Sequence, residues 1–126
     1  SLRNLLTYIE DFKIPYLTVF SFSTDNWKRP KSETSNLMNL LRKFIQTDLT
    51  ELHKKNVKIR VIGNRKGIPK DIINLINSSE ELTKNNNGLY LQIAFNYSGR
   101  DELIKLIISF GILSRFPITL ILTFFL

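Results

Sequence analysis

Three runs of β-branched and aromatic residues, each followed by a stretch of helical length, limit what this chain can become more than any other feature. The runs are residues 16–22, 57–62 and 89–95, and their composition is that of buried strands. Between the first two, Leu37, Leu40, Leu41, Phe44, Ile45, Leu49 and Leu52 fall at helical spacing and form one apolar stripe. Ser32 is the expected N-cap of that helix, with Glu33 in its first turn and Lys54-Lys55-Asn56 at its stop. After Gly67-Ile68-Pro69, the residues Ile72, Ile73, Ile76 and Leu82 mark a second helix, closed by Asn85-Asn86-Asn87-Gly88. A shorter stripe of Leu2, Leu5, Leu6 and Ile9 precedes the first strand, and Asp101 opens a further helix after the third. Strands alternating with helices of crossover length mean an α/β fold, a parallel sheet with flanking helices and right-handed connections. In such sheets ligands sit beyond the carboxyl ends of the strands. That places the candidate site on residues 23–30, 63–67 and 96–100.

A chain of 126 residues has room for one well-packed domain. It has no cysteine, which excludes a disulfide framework, a thiolate metal site and a cysteine nucleophile together. One histidine, His53, rules out a His-rich metal cluster; it lies beside Lys54 and Lys55 and reads as solvated. Met38 reads as core packing. The 18 basic residues exceed the 11 acidic ones, for a net charge of +7, which favours anionic partners. The cations are spread out, however. The two small clusters, Asn64-Arg65-Lys66 and His53-Lys54-Lys55, do not make a nucleic-acid tract, and Arg65 and Lys66 read as a solvated loop.

Residues 103–126 break the pattern. They are mostly apolar, with Lys105, Gly111, Arg115 and Pro117 interrupting them, and show neither a clean stripe nor caps. A membrane span needs about 20 apolar residues, and Arg115 and Pro117 fall near the middle of the available length. The reading is an apolar tail that joins no packed element.

Chemistry concentrates in residues 23–30. Four short polar residues, Ser23, Thr24, Asp25 and Asn26, leave the carboxyl end of a strand, and Trp27 and Arg29 come next. Arg29 can grip a phosphate with a bidentate fork, helped by the Ser23 and Thr24 hydroxyls and loop amides. Asn26 can orient a substrate, and Trp27 offers a flat apolar wall. Together they suit a ligand charged at one end and oily at the other. The same residue types also make ordinary turns whose side chains bond their own backbone, and on residue types alone both readings stand.

The stretch Phe22-Ser23-Thr24-Asp25-Asn26-Trp27-Lys28-Arg29-Pro30, followed by Leu37-Met38, resembles the F-S-x-E/D-N-W-x-R-P…L-M signature of cis-prenyltransferases, the undecaprenyl pyrophosphate synthase type of isoprenyl transferase. Further likenesses keep the family's order. Leu52, then Asn56-Val57-Lys58-Ile59-Arg60-Val61-Ile62-Gly63, resembles L-x-x-x-N-V-x-(I/L)-R-x-I-G. Leu82-Thr83, Asn85 to Leu89, and Ala94-Phe95-Asn96-Tyr97-Ser98-Gly99-Arg100 resemble L-T-x-x-N-x-G-L…A-x-N-Y-G-G-R, with Ser98 in place of a glycine. The likeness covers about residues 5–102, so 1–102 is expected to be a partial isoprenyl transferase domain and 103–126 a tail unlike the family, out of frame or truncated.

The resemblance implies condensation of isopentenyl pyrophosphate with an allylic pyrophosphate such as farnesyl pyrophosphate, each new double bond being Z. By position it makes Asn26 the catalytic residue, an orienting or relay group because an amide is a feeble base. It makes Ser23, Thr24, Asp25, Trp27 and Arg29 substrate contacts. It also implies magnesium, a homodimer, a cytoplasmic location extending to the membrane surface, and no nucleic-acid partner. The family's D-G-N-G-R-W-A loop, whose Asp holds the metal, and its R-x-G-x-x-R-x-S-N-F segment have no counterpart here. The metal ligands are therefore absent from this chain, which by itself is expected to be inactive. The alternative from another class is a basic α/β nucleotide- or nucleic-acid-binding module. It is weakened by the lack of a G-x-G-x-x-G turn, a P-loop and an aromatic-basic RNA platform.

Overall fold

The computed structural model describes residues 2–99 and 119–123. Its elements are α1 (Leu2–Phe12), β1 (Tyr16–Ser23), a short 3-10 helix (Thr24–Lys28), α2 (Lys31–Lys54), β2 (Lys58–Ile62), α3 (Lys70–Thr83), β3 (Tyr90–Tyr97) and β4 (Thr119–Thr123). The strands form one sheet in the order β2-β3-β1-β4, and every pairing is parallel. The α/β reading with a parallel sheet therefore holds.

One face of the sheet makes the main core. In register across it lie Leu17, Leu91 and Ile59, then Val19, Ile93 and Val61. Ile9 of α1, Met38, Ile45 and Leu52 of α2, and Ile72 and Ile76 of α3 pack against them. Met38 is a core residue, as its spacing implies. The opposite face carries Ile62 and Ala94 among Tyr16, Phe20, Tyr90 and Tyr97.

Several sequence expectations need correction. α2 begins one residue before Ser32, with Pro30 in the capping position. The Pro30 carbonyl accepts the amides of Glu33 (3.0 Å) and Thr34 (3.2 Å), and its extended ψ of 144° starts the helix without a side-chain cap. Leu40 and Leu82 are exposed, at 51% and 47%, although both fall on the apolar stripes. In α3 the core-facing places go to Ser79 and Thr83 instead, because β2 is an edge strand whose amides need acceptors. Thr83 Oγ1 accepts from the Ile59 amide (3.0 Å) and Glu80 from the Val61 amide (3.0 Å). A helix thus closes an edge that would otherwise pair with another chain.

That arrangement also settles Arg65, which is not a solvated loop residue. It donates to the Val61 carbonyl (3.0 Å) and pairs with Glu80 at 3.3 Å. His53 is half-buried, its Nδ1 lying 3.0 Å from the Asn86 amide. The chain crosses from β1 past β3 to β2, then steps back to β3. Finally, Thr119–Thr123 pairs with β1 from Tyr16↔Thr119 to Phe20↔Thr123, so part of the apolar tail joins the sheet. Its sequence, Thr-Leu-Ile-Leu-Thr, has strand composition. The helix expected from Asp101, and the side chains of Leu2, Leu5 and Leu6, lie outside the described residues.

Candidate functional site

The three segments singled out at the strand ends meet in space, and Asn96 is where they meet. This residue is the last but one of β3, is 2% exposed and has a φ of 58°, a left-handed conformation that asparagine tolerates better than most side chains. Its Oδ1 accepts the Trp27 indole N–H at 2.7 Å. Its Nδ2 donates to the carbonyls of Asn64 (2.6 Å) and Lys66 (3.0 Å). Its own carbonyl accepts the Asn64 amide at 3.1 Å. One side chain therefore ties the loop after β1 to the loop after β2.

Gly63 permits this closeness. Its φ is +127°, and a Cβ there would stand 1.8 Å from the Phe95 carbonyl oxygen. Only a residue without a side chain lets β2 turn away so near to β3.

The loop after β1 winds into the 3-10 helix. Ser23 opens it, and Asn26 folds back so that its Oδ1 accepts both the Ser23 amide (2.7 Å) and the Ser23 hydroxyl (3.1 Å). The Arg29 amide then donates to the Asn26 carbonyl (3.1 Å), which ends the turn. The turn reading of this stretch holds for Ser23 and Asn26, which bond locally, and the turn they make sets where Trp27 and Arg29 stand. With both lone pairs of its amide oxygen engaged, Asn26 has its amide hydrogens as the groups left for a ligand.

Trp27 is neither core nor loose. It packs edge-on against buried Phe22 at a centroid distance of 4.9 Å, and Phe22 stacks on Phe95 at 5.3 Å. The residue remains 38% exposed. Thr24 is half-buried, whereas Asp25 and Arg29 are exposed. Asp25 pairs with Lys28 at 3.4 Å, and Arg29 stands 3.9 Å from Glu33. Beside Ser23, in register across the β1–β3 pair, burial pushes the Tyr97 phenol above its ordinary pKa. Arg100, the last residue of the third segment, lies outside the described residues.

Chemically, this is an exposed guanidinium and a half-exposed indole on a backbone pinned from below by hydrogen bonds. Residues 1–115 match the Prenyltransf family, undecaprenyl diphosphate synthase. The chain belongs to that family. It is 48% identical over 105 residues to an isoprenyl transferase of Agrobacterium fabrum, covering 83% of this chain and 42% of that protein. It is 49% identical, with the same coverage, to isoprenyl transferase 2 of Bradyrhizobium diazoefficiens.

Among solved structures, a probable undecaprenyl diphosphate synthase from Campylobacter jejuni superposes with a TM-score of 0.76 at 32% identity. That match covers 88% of this chain and 56% of the other. Lavandulyl diphosphate synthase from Lavandula x intermedia, solved with dimethylallyl diphosphate, gives 0.74 at 25% identity, over 93% of this chain and 53% of the other. The chain spans 42% of the length of the two isoprenyl transferases.

Sequence reasoning singled out the strand ends whose loops meet here but gave Asn96 no role. A signal was there: an amide at the end of a strand too apolar to need one, 69 residues from the indole it bonds.

Proposed function

We propose that the site serves isoprenyl transfer, the condensation of isopentenyl pyrophosphate with an allylic pyrophosphate such as farnesyl pyrophosphate. The observation that carries this reading is the pinned pairing of an exposed cation with an oily wall, Arg29 beside Trp27, at the carboxyl end of a parallel sheet in a chain of prenyltransferase family. In it, Arg29 holds a pyrophosphate oxygen pair. The Thr24 hydroxyl and the Asn26 amide hydrogens add neutral donors, while Ser23, whose hydroxyl hydrogen goes to Asn26 Oδ1, shapes the turn that carries them. Trp27 lies along the first part of the hydrocarbon chain. Asn26 acts by orientation, since its amide oxygen is already filled by Ser23 and an amide is a poor base. Asp25 borders the pyrophosphate and keeps Lys28 near it.

In this family's reaction, magnesium assists the departure of the allylic pyrophosphate. Among the described residues no group of three or more His, Cys, Asp or Glu gathers to hold a metal, and the Asp25 carboxylate faces Lys28. The described residues do not fit the ion. The reading is therefore that this chain supplies headgroup and chain recognition and is inactive or nearly so on its own. Among the described residues no helix is long and apolar enough to cross a membrane. An oily substrate with a charged head favours work in the cytoplasm at the membrane surface, and a homodimer belongs to the same reading.

Calorimetric titration with farnesyl pyrophosphate tests the reading, beside a radiolabelled condensation assay with isopentenyl pyrophosphate and magnesium. Binding that Arg29→Ala weakens at least tenfold supports it. Failure to bind either pyrophosphate overturns it. Salt-sensitive binding of generic RNA instead would favour the basic binding module.

A further inference from the structure

We propose that Asn96 is a positioning residue, setting the angle and depth of the Trp27 indole, and through it the Ser23–Arg29 turn, by a three-way amide clamp. The inference rests on the pyrophosphate reading of the site, but the clamp itself can be tested apart from it.

The geometry leaves little slack. The Asn96 side chain uses its acceptor on the indole N–H and both of its donor hydrogens on the Asn64 and Lys66 carbonyls. Both ends of that amide are engaged, within a residue that is almost fully buried. A buried network satisfied in this way fixes one arrangement, because any rotation of the amide strands at least one polar group. The amide cannot flip either, since exchanging its oxygen and nitrogen would set an N–H against the indole N–H and an oxygen against two carbonyls. The side-chain assignment is therefore dictated by its three partners.

Trp27 has few other anchors. Phe22 contacts it edge-on, a contact that restrains distance more than tilt, and more than a third of the residue is open to solvent. The indole N–H bond therefore decides which way the open face points. The turn carrying Asn26 and Arg29 continues directly from that residue through the Arg29 amide bond to the Asn26 carbonyl. The loop after β2 supplies both carbonyls yet touches no part of the turn except through Asn96 among the hydrogen bonds described. The consequence is that β2, β3 and the turn after β1 move as one body.

Asn96→Asp separates this role from simple packing. The substitution is isosteric, tolerates positive φ and keeps an acceptor for the indole, but it sets an oxygen against two carbonyls. The chain holds a single tryptophan, so its fluorescence and its one indole N–H resonance report on Trp27 alone. In the folded variant, emission should shift to the red, acrylamide quenching should rise, and the dissociation constant for farnesyl pyrophosphate should rise at least tenfold. Acidification that protonates the introduced carboxylate returns one donor and should partly restore quenching protection. An inert structural residue would not produce that rescue.

A folded Asn96→Asp chain with unchanged Trp27 fluorescence, or with unchanged affinity for a ligand the wild type binds, overturns the proposal. Should the variant fail to fold, the wild-type indole N–H decides: slow exchange with solvent supports the clamp, and exchange at the rate of free indole overturns it. A wild-type chain that binds neither farnesyl pyrophosphate nor inorganic pyrophosphate refutes the functional reading. The indole exchange rate then judges the clamp by itself.

Discussion

Both ends of this sheet are stitched by asparagines, and the two sets of stitches differ in what they leave over. At the amino end, Asn56 (φ 62°) bonds Asn87 side chain to side chain, and its Oδ1 also accepts the Asn87 amide. Asn86 donates to the Val57 carbonyl and meets His53, and the Gly88 amide donates to the Asn56 carbonyl. These bonds close the helix ends onto the strands and present amides to solvent. At the carboxyl end the key amide is buried, and its bonds hold up an indole and a guanidinium that face outward. An amide network by itself is therefore no mark of a site. What sets the carboxyl end apart is a buried network with an exposed cation and an aromatic face beside it.

The contrast between the two ends is tested most severely at the glycines. Gly63→Ala places a Cβ into the Phe95 carbonyl at a φ of +127°, and we expect it to cost about 3 kcal/mol or more in a denaturant titration. Gly88→Ala at the other end meets the Asn56 carbonyl at 2.6 Å and should cost clearly less. Equal losses would erase that contrast.

Asn56→Ala removes amino-end amide bonds at a left-handed residue. It should destabilise by about 1–2 kcal/mol while leaving the affinity for farnesyl pyrophosphate unchanged. Arg29→Gln should do the reverse, leaving the stability within about 0.5 kcal/mol of wild type and weakening pyrophosphate binding about tenfold.

The smallest effect belongs to a surface pair between α2 and α3. Arg42 holds Asp71 with two hydrogen bonds and pulls its carboxyl below the usual carboxylate range. A lowered folded-state value means that the pair helps the fold above the ordinary carboxylate pKa and loses that help as pH falls through the lowered value. Arg42→Gln should raise the midpoint at which the Asp71 carboxyl carbon titrates in NMR, with little change in stability, since the pair is on the surface.

Much of the architecture was legible because it rests on local periodicity. The three strands and the stops at Asn56 and after Thr83 follow from residue type and spacing, and the strand-end rule located the loops that now meet. What was not legible involves choices between partners distant in sequence. Leu82 lost its core position to Thr83 because the Ile59 amide, on an edge strand, required an acceptor, and no helical stripe announces that an adjacent strand will be an edge. Arg65 looked like a loop cation because Glu80, which it meets, lies on another element. β4 escaped notice because an isolated apolar pentapeptide becomes a strand only when an open edge, here that of β1, is available to it. Asn96 stood out only as an amide at the end of an apolar strand; its partners, two backbone carbonyls and an indole distant in sequence, are not written in any residue pattern.

The order β2-β3-β1-β4 also sets a schedule for the ribosome. Tyr16 of β1 has Tyr90 and Thr119 as its neighbours, and β2, although made first of the later strands, gives it no hydrogen bond. At about 5–20 residues per second, β1 must wait roughly 4–15 s after its own synthesis before the residues of β3 exist. During that interval its Leu17, Val19 and Phe22 have no sheet to enter. The β2-α3-β3 unit is more local and can assemble first, which leaves the nascent β1 segment as the portion most in need of a chaperone's shelter.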